Sequence, residues 1–184
     1  MFKVDIHTHI VPENLNTLTD TFSDRRFLRI NSITDKTAVL IKDDIAFRQI
    51  SCNCWNYHSR LKECINSGVD IQVLSTIPVL FSYWSNSDES LKLSQFLNNH
   101  IADICEKEPS KYIGLGTIPM QNADLAISEM DRCINILNLP GIQIGSNINN
   151  LNLSESKFDP IFEHAEKIGC SLFIHPWEMM GQSH

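Results

Sequence analysis

Asp5-Ile6-His7-Thr8-His9 lies at the start of the chain, on an apolar run that begins at Phe2. Side chains on an extended strand alternate between two faces. His7 and His9 therefore project to one side, with Asp5 beneath them. Two imidazoles leaving one face of a strand end can hold a divalent metal, at about 2.0–2.1 Å per Zn–N bond. Far along the chain, Ser171-Leu172-Phe173-Ile174-His175-Pro176 repeats the arrangement of an apolar run closed by a histidine. A single histidine in such a place is more often a satisfied core residue. Three at corresponding strand ends make a ligand set, and the C-terminal ends of parallel strands are where α/β folds keep their chemistry. His7, His9 and His175 are the candidate metal ligands.

The segments between these histidines decide the fold class, which is α/β. A first strand is expected over 2–7. Residues 15–55 read as an inserted β flap, with short β-rich runs at 29–33, 37–41 and 45–50 and a turn at Asp43-Asp44. A regular alternation follows. Helices are expected over 56–67, closed by Gly68, over 87–106, stopped before Pro109, over 122–137, and over 154–168, closed by Gly169. Strands are expected over 70–76, 112–117, 141–145 and 170–175. Alternation of this kind implies parallel strands joined by right-handed crossovers. No linker or low-complexity tract divides the chain, so residues 1–184 are read as a single domain. Two architectures fit: an open doubly wound sheet, or a (β/α)8 barrel cut just past its midpoint.

The 184 residues are 42% hydrophobic and 20% charged, the balance of an ordinary globular protein. No apolar run approaches the ~20 residues of a membrane span. The start lacks the apolar stretch of a signal peptide, which points to a cytoplasmic (cytosolic) protein with no membrane partner. A net charge of −7 argues against nucleic acid as a partner. It leaves room for a small anionic substrate held by a local cation. Arg48 and Lys42, both in the flap, are the candidates, and Arg48 follows Phe47 in an apolar stretch suited to a carboxylate clamp. Val79-Leu80-Phe81-Ser82-Tyr83-Trp84 is a candidate pocket wall, although an aromatic loop is more often simple packing, and Trp177 and Met179 are candidates for further apolar wall. The six cysteines read as free thiols. His58, His100, His164 and His184 read as ordinary. There is no G-x-S-x-G, phosphate loop or G-x-G-x-x-G, and no nucleophile with a placed base.

Several segments together carry a family resemblance. Asp5-Ile6-His7-Thr8-His9, Leu74-Ser75-Thr76-Ile77-Pro78-Val79, Phe81-Ser82-Tyr83-Trp84, Gly114-Leu115-Gly116-Thr117-Ile118-Pro119-Met120-Gln121, Gly141-Ile142-Gln143-Ile144-Gly145 and Phe173-Ile174-His175-Pro176-Trp177 resemble the aminocarboxymuconate-semialdehyde decarboxylase family of the amidohydrolase superfamily. The resemblance implies a (β/α)8 TIM barrel of the metal-dependent hydrolase type, with a small antiparallel β insertion after strand 1. It implies one Zn2+ held by His7, His9, His175 and an eighth-strand aspartate, with Arg48 binding a substrate carboxylate. The implied activity is that of a carbon–carbon lyase. It is the zinc-dependent, non-oxidative decarboxylation of 2-amino-3-carboxymuconate 6-semialdehyde, in tryptophan catabolism by the kynurenine pathway.

The sequence ends shortly after His175, so the expected form is a barrel truncated after about strand 5. The aspartate ligand and the family's catalytic base would lie beyond residue 184. The expectations are therefore weakened zinc binding, little turnover by this length of chain alone, and association through open edges as a homo-oligomer, a dimer. Two other readings stand beside this one. The chain could be another H-x-H metal-dependent hydrolase, acting on phosphoesters or amides. It could also be a non-catalytic fragment that pairs with full-length subunits.

Overall fold

The computed structural model describes residues 1–178. Met179 and His184 lie outside the described residues. β1 (Val4–Ile10) carries the first two histidines. A short helix, α1 (Asn16–Thr19), leads into β2 (Arg29–Ser32), β3 (Thr37–Lys42) and β4 (Ile45–Ser51). These three strands pair antiparallel in the order β2-β3-β4. The β3–β4 turn is Asp43-Asp44, with φ of 54° and 58°, the positive-φ pair that two-residue hairpins need. α2 (Tyr57–Ser67) begins where the Asn56 side chain accepts from the Ser59 amide at 2.9 Å, and ends at Gly68 with φ 68°. That is an Asn N-cap and a left-handed glycine C-cap.

After α2 come β5 (Ile71–Thr76), α3 (Ser87–Lys107), β6 (Tyr112–Gly116), α4 (Ala123–Asn135) and β7 (Gly141–Gly145). A small hairpin of β8 (Asn147–Ile148) and β9 (Leu151–Asn152) precedes α5 (Asp159–Ile168) and β10 (Ser171–His175). α3 and α4 are capped by Asn86 and Asn122, which accept from the amides of Glu89 and Leu125.

The main sheet is parallel, in the order β1-β5-β6-β7-β10. Spatial order follows chain order throughout. A doubly wound sheet reverses direction at its switch point; this one winds one way only, as a barrel wall does. The sheet curls until side chains of its first and last strands meet at their C-terminal ends. The described residues thus form a curled half-barrel with helices on its outer face.

Two expected boundaries move by more than two residues. β1 does not stop at His7. Its ladder with β5 continues through His9↔Ser75 and Ile10↔Thr76, so both histidines lie inside the strand. The register also shifts between Asp5 and Thr8, a bulge that breaks simple alternation. The helix expected from 154 begins at Asp159, after a 3₁₀ turn (Ser156–Phe158), with Pro160 in its first turn. α1 and the β8–β9 hairpin are too short to leave a periodic signature.

The core has two parts. One lies between the sheet and the outer helices, with Leu74, Ile101, Ile104, Met130, Ile142 and Ile161 in it. The other lies under the three-stranded insertion, with Val11, Leu15, Phe27, Leu40, Leu93 and Leu97. α3 feeds both, so one helix ties the insertion to the sheet. Gly114 and Gly116 let the helices sit close: a Cβ on Gly114 would lie 2.6 Å from both Ile101 and Leu139. Where β6 ends, the Asn98 side chain accepts from the Thr117 amide at 2.7 Å. The same side chain donates to the Thr117 carbonyl at 2.8 Å and to Glu129 at 2.6 Å. Arg132 closes the network, with two nitrogens each 2.8 Å from the buried Glu129 carboxylate.

Candidate metal centre

The curl of the sheet converts sequence distance into contact. His9 on β1 and His175 on β10 place their Nε2 atoms 3.2 Å apart. The His7 ring stands 5.0 Å from the His9 ring and 4.7 Å from the His175 ring, nearly perpendicular to both. One ring nitrogen from each of the three lies within 4.8 Å of the others. Among the described residues no other group of histidine, cysteine or carboxylate side chains gathers in this way. Asp5 is not part of the cluster. Its carboxylate accepts from the His7 amide at 3.4 Å and from the Gln72 side chain at 3.3 Å.

The hydrogen bonds at the far side of each ring decide what faces inward. His175 Nδ1 lies 2.6 Å from the Pro176 carbonyl oxygen, which can only accept, so Nδ1 carries the proton and Nε2 the lone pair. His9 Nδ1 lies 3.1 Å from Ser75 Oγ. Ser75 donates its own hydroxyl proton to the Thr8 carbonyl at 3.0 Å. Its oxygen is then free to accept from His9 Nδ1, the arrangement in which His9 Nε2 is also bare. Two lone pairs facing at this distance repel unless a cation sits between them. Tetrahedral zinc with bonds of 2.0–2.1 Å sets its ligands about 3.3–3.4 Å apart, so the observed separation fits.

Electrostatics point the same way. Burial, reinforced by the neighbouring His175 and His7, brings the His9 pKa down to about 4. Burial also lowers that of His175, against the Pro176 carbonyl, which raises it. Neutral imidazole is the ligating form. The unfolded chain protonates such a histidine near pH 6.5, and the folded one only near 4. Between those values the unfolded state holds more protons, so stability falls as pH falls through that window. His100, away from the site, is brought to about 4 by burial and acts in the same direction. The expected result for metal-free protein is a melting temperature that is flat above pH 7 and declines from about 6.5 to 4. Ring-proton titrations should place His9 and His100 near 4; midpoints near 6.5 would refute the assignment.

A cavity of about 490 Å³ opens beside the histidines. His9, His175 and Trp177 line one end, with Phe47, Arg48 and Val79 among the other walls. Arg48 comes from β4, so the insertion supplies a guanidinium to a largely apolar space. Its charge sits 5.8 Å over the Phe47 ring, and no carboxylate among the described residues pairs with it. Trp177 is pinned by Ser146, whose hydroxyl accepts from its amide at 3.0 Å.

Lys42 is not in this wall. It ends β3 opposite Ile45, beside the Asp43-Asp44 turn, at the tip of the hairpin. The segment Phe81–Trp84 is not there either. Phe81 and Tyr83 stack inside the core, and Trp84 packs against Phe27 under the Arg26 guanidinium. Cys52 and Cys54 are free, like the other four cysteines.

Two contributors escaped the sequence reading. Ser75 holds His9 from β5. Arg60, on α2, donates to the His9 carbonyl at 2.6 Å and to the Asn53 carbonyl at 2.9 Å. It thereby joins β1 to the foot of the insertion.

The amidohydrolase family matches residues 4–182. A 2-amino-3-carboxymuconate-6-semialdehyde decarboxylase of Dictyostelium discoideum is 45% identical over 180 residues, covering 98% of this chain and 50% of that protein. The enzyme of the same name from Caenorhabditis elegans is 25% identical, covering 96% of this chain and 56% of its own length. The chain thus spans about half the length of the curated relatives it matches. Among solved structures, the 5-carboxyvanillate decarboxylase of Novosphingobium aromaticivorans, complexed with manganese, superposes with a TM-score of 0.74 at 22% identity. That match covers 95% of this chain and 50% of the enzyme.

Proposed function

We propose, given that the chain belongs to the amidohydrolase family, that His7, His9 and His175 hold one divalent cation beside a pocket for a small conjugated carboxylic acid. The reaction served is decarboxylation. The observation that carries this reading is the 3.2 Å separation of the His9 and His175 Nε2 atoms, each ring with a hydrogen-bond partner at its opposite nitrogen. An all-imidazole set suits zinc, and zinc is the ion we assign. The curated relatives are named as decarboxylases of 2-amino-3-carboxymuconate 6-semialdehyde. We take that semialdehyde as the substrate, and with it a place in tryptophan breakdown by the kynurenine route, in the cytosol. Residues 1–184 are read as one domain with 15–55 as its inserted flap, working as a dimer.

The residues present divide the work. A cation bound there would supply Lewis acidity and lower the pKa of coordinated water. Arg48 holds a substrate carboxylate by a charge-assisted hydrogen bond, worth about 1.5–3 kcal/mol. Phe47, Val79 and Trp177 exclude water around the diene. An apolar wall penalises a carboxylate far more than the neutral CO2 it becomes. A two-metal hydrolase would need carboxylate ligands beside the three histidines, and counting the bound metal distinguishes the two readings.

The test loads the chain with zinc and titrates it with cis,cis-muconate, a conjugated dicarboxylate. Native protein should bind it, and Arg48→Ala should weaken binding about 10–100-fold while zinc affinity is unchanged. Equal binding by the two proteins, or equal binding of an uncharged diene, would contradict the assignment. Zinc-dependent CO2 release from the semialdehyde by a longer chain that carries the family's base would establish the reaction, and little release is expected from residues 1–184 alone.

A further inference from the structure

We infer that Ser75 is a positioning residue for the metal centre. Its hydroxyl selects the His9 tautomer that presents a bare Nε2. The inference rests on the metal reading above and extends it to a residue that touches neither metal nor substrate.

Ser75 faces His9 directly across the β1–β5 ladder and is buried. A hydroxyl has one proton and two lone pairs. Here the proton goes to the Thr8 carbonyl at 3.0 Å, an acceptor that cannot reverse the bond. Ser75 Oγ is therefore restricted to accepting, and its partner at 3.1 Å is His9 Nδ1. A neutral imidazole carries one N–H. Drawing it to Nδ1 empties Nε2, the atom aimed at His175. The opposite tautomer would set a lone pair against the Ser75 lone pairs and an N–H against His175.

The relay is anchored on both sides. Thr8 is the strand neighbour of His9, and its own hydroxyl donates to the Val73 carbonyl at 2.8 Å. Ring orientation and protonation are thus both tied to the β1–β5 ladder. His175 achieves the same result more simply, through the carbonyl of Pro176. One competitor exists: the Thr76 carbonyl also lies near the His9 ring. The inference is that the serine, and not this carbonyl, sets the tautomer.

Partners of this kind are typically worth about 10–100-fold in metal affinity. The experiment uses the whole chain and Zn2+ alone. Long-range 1H–15N correlation on metal-free native protein near pH 7.5 should show His9 as the Nδ1–H tautomer. Ser75→Ala should shift His9 toward a mixture and weaken Zn2+ binding about 10–100-fold. Ser75→Thr, which keeps the hydroxyl, should restore the Nδ1–H tautomer and most of the affinity. Native His9 found as Nε2–H would overturn the inference. So would Ser75→Ala with the native tautomer and an affinity within about threefold of native. If native protein takes up no zinc at all, the functional reading fails, and the tautomer spectrum still decides the role of Ser75 by itself.

Discussion

Replacing His175 by alanine is expected to lower zinc affinity by more than ~100-fold while the fold stays intact. A residue that merely steadies a ligand is worth about 10–100-fold, and loss of a ligand exceeds that. His175 closes the last strand of the sheet and is partly exposed, so trimming it removes little packing. Its loss leaves His9 Nε2 facing a gap where the opposing nitrogen stood at 3.2 Å. The effect shows as thermal linkage as well. Zinc at 100 times its Kd should stabilise native protein by about 2.7 kcal/mol, and should hardly move the variant. Calorimetric titration gives the affinity, and melting with and without zinc gives the linkage. Equal affinities would remove His175 from the site.

The legibility of this site in the sequence follows from which physical rules are local. His7 and His9 announce themselves because spacing of two on a strand needs no tertiary information. His175 was legible because an apolar run, Leu172-Phe173-Ile174, leads into it at the end of a strand. The helices followed from periodicity, with Asn56 and Gly68 marking one of them by capping chemistry alone. The insertion was legible from Thr37–Lys42 and Ile45–Ser51, β-rich strands flanking the Asp43-Asp44 turn.

What could not be read depends on register and curvature. Ser75 reaches His9 only because the bulge between Asp5 and Thr8 sets Ser75 opposite it. Arg60, on α2, reaches the His9 carbonyl across 51 positions of sequence, a contact that no local pattern announces. Lys42 and Arg48 were both candidate cations of the flap, with Arg48 favoured by its apolar neighbours; the structure ends Lys42 at the hairpin tip and brings Arg48 into the cavity wall. Phe81 and Tyr83 could have lined a pocket or simply packed; the structure stacks them inside the core. Periodicity alone left an open sheet and a barrel wall both possible; the family resemblance chose the barrel, and the strand order bears it out.

The second large effect concerns stability and lies on the helical side of the sheet. Arg132→Met is expected to cost about 3–5 kcal/mol, the usual penalty for leaving a buried charge without its partner. The Glu129 side chain is 0% exposed and that of Arg132 only 22%. The arginine raises no question of protonation, because Glu129 at 2.8 Å holds its pKa above the ordinary value. Without it the carboxylate keeps Asn98 and the weak Cys133 thiol donor, too little for a buried anion. Such a loss is a large part of the 5–15 kcal/mol that holds a domain of this kind. Urea unfolding should show it as a lowered midpoint, and adding Glu129→Gln should recover part of it. By contrast, breaking the exposed Lys107–Asp103 pair at 2.6 Å should cost under ~0.5 kcal/mol. A small loss in Arg132→Met would mean that the network around Asn98 does not need its cation.

The convergence of His7, His9 and His175 on one ion is tested most directly by X-ray absorption at the zinc edge, combined with metal counting on the purified chain. One zinc per chain, with three imidazole nitrogens at about 2.0–2.1 Å that fall to two in His175→Ala, is the expected result. Absence of stoichiometric metal after zinc loading, or a first shell of sulfur from Cys52 and Cys54, would contradict it.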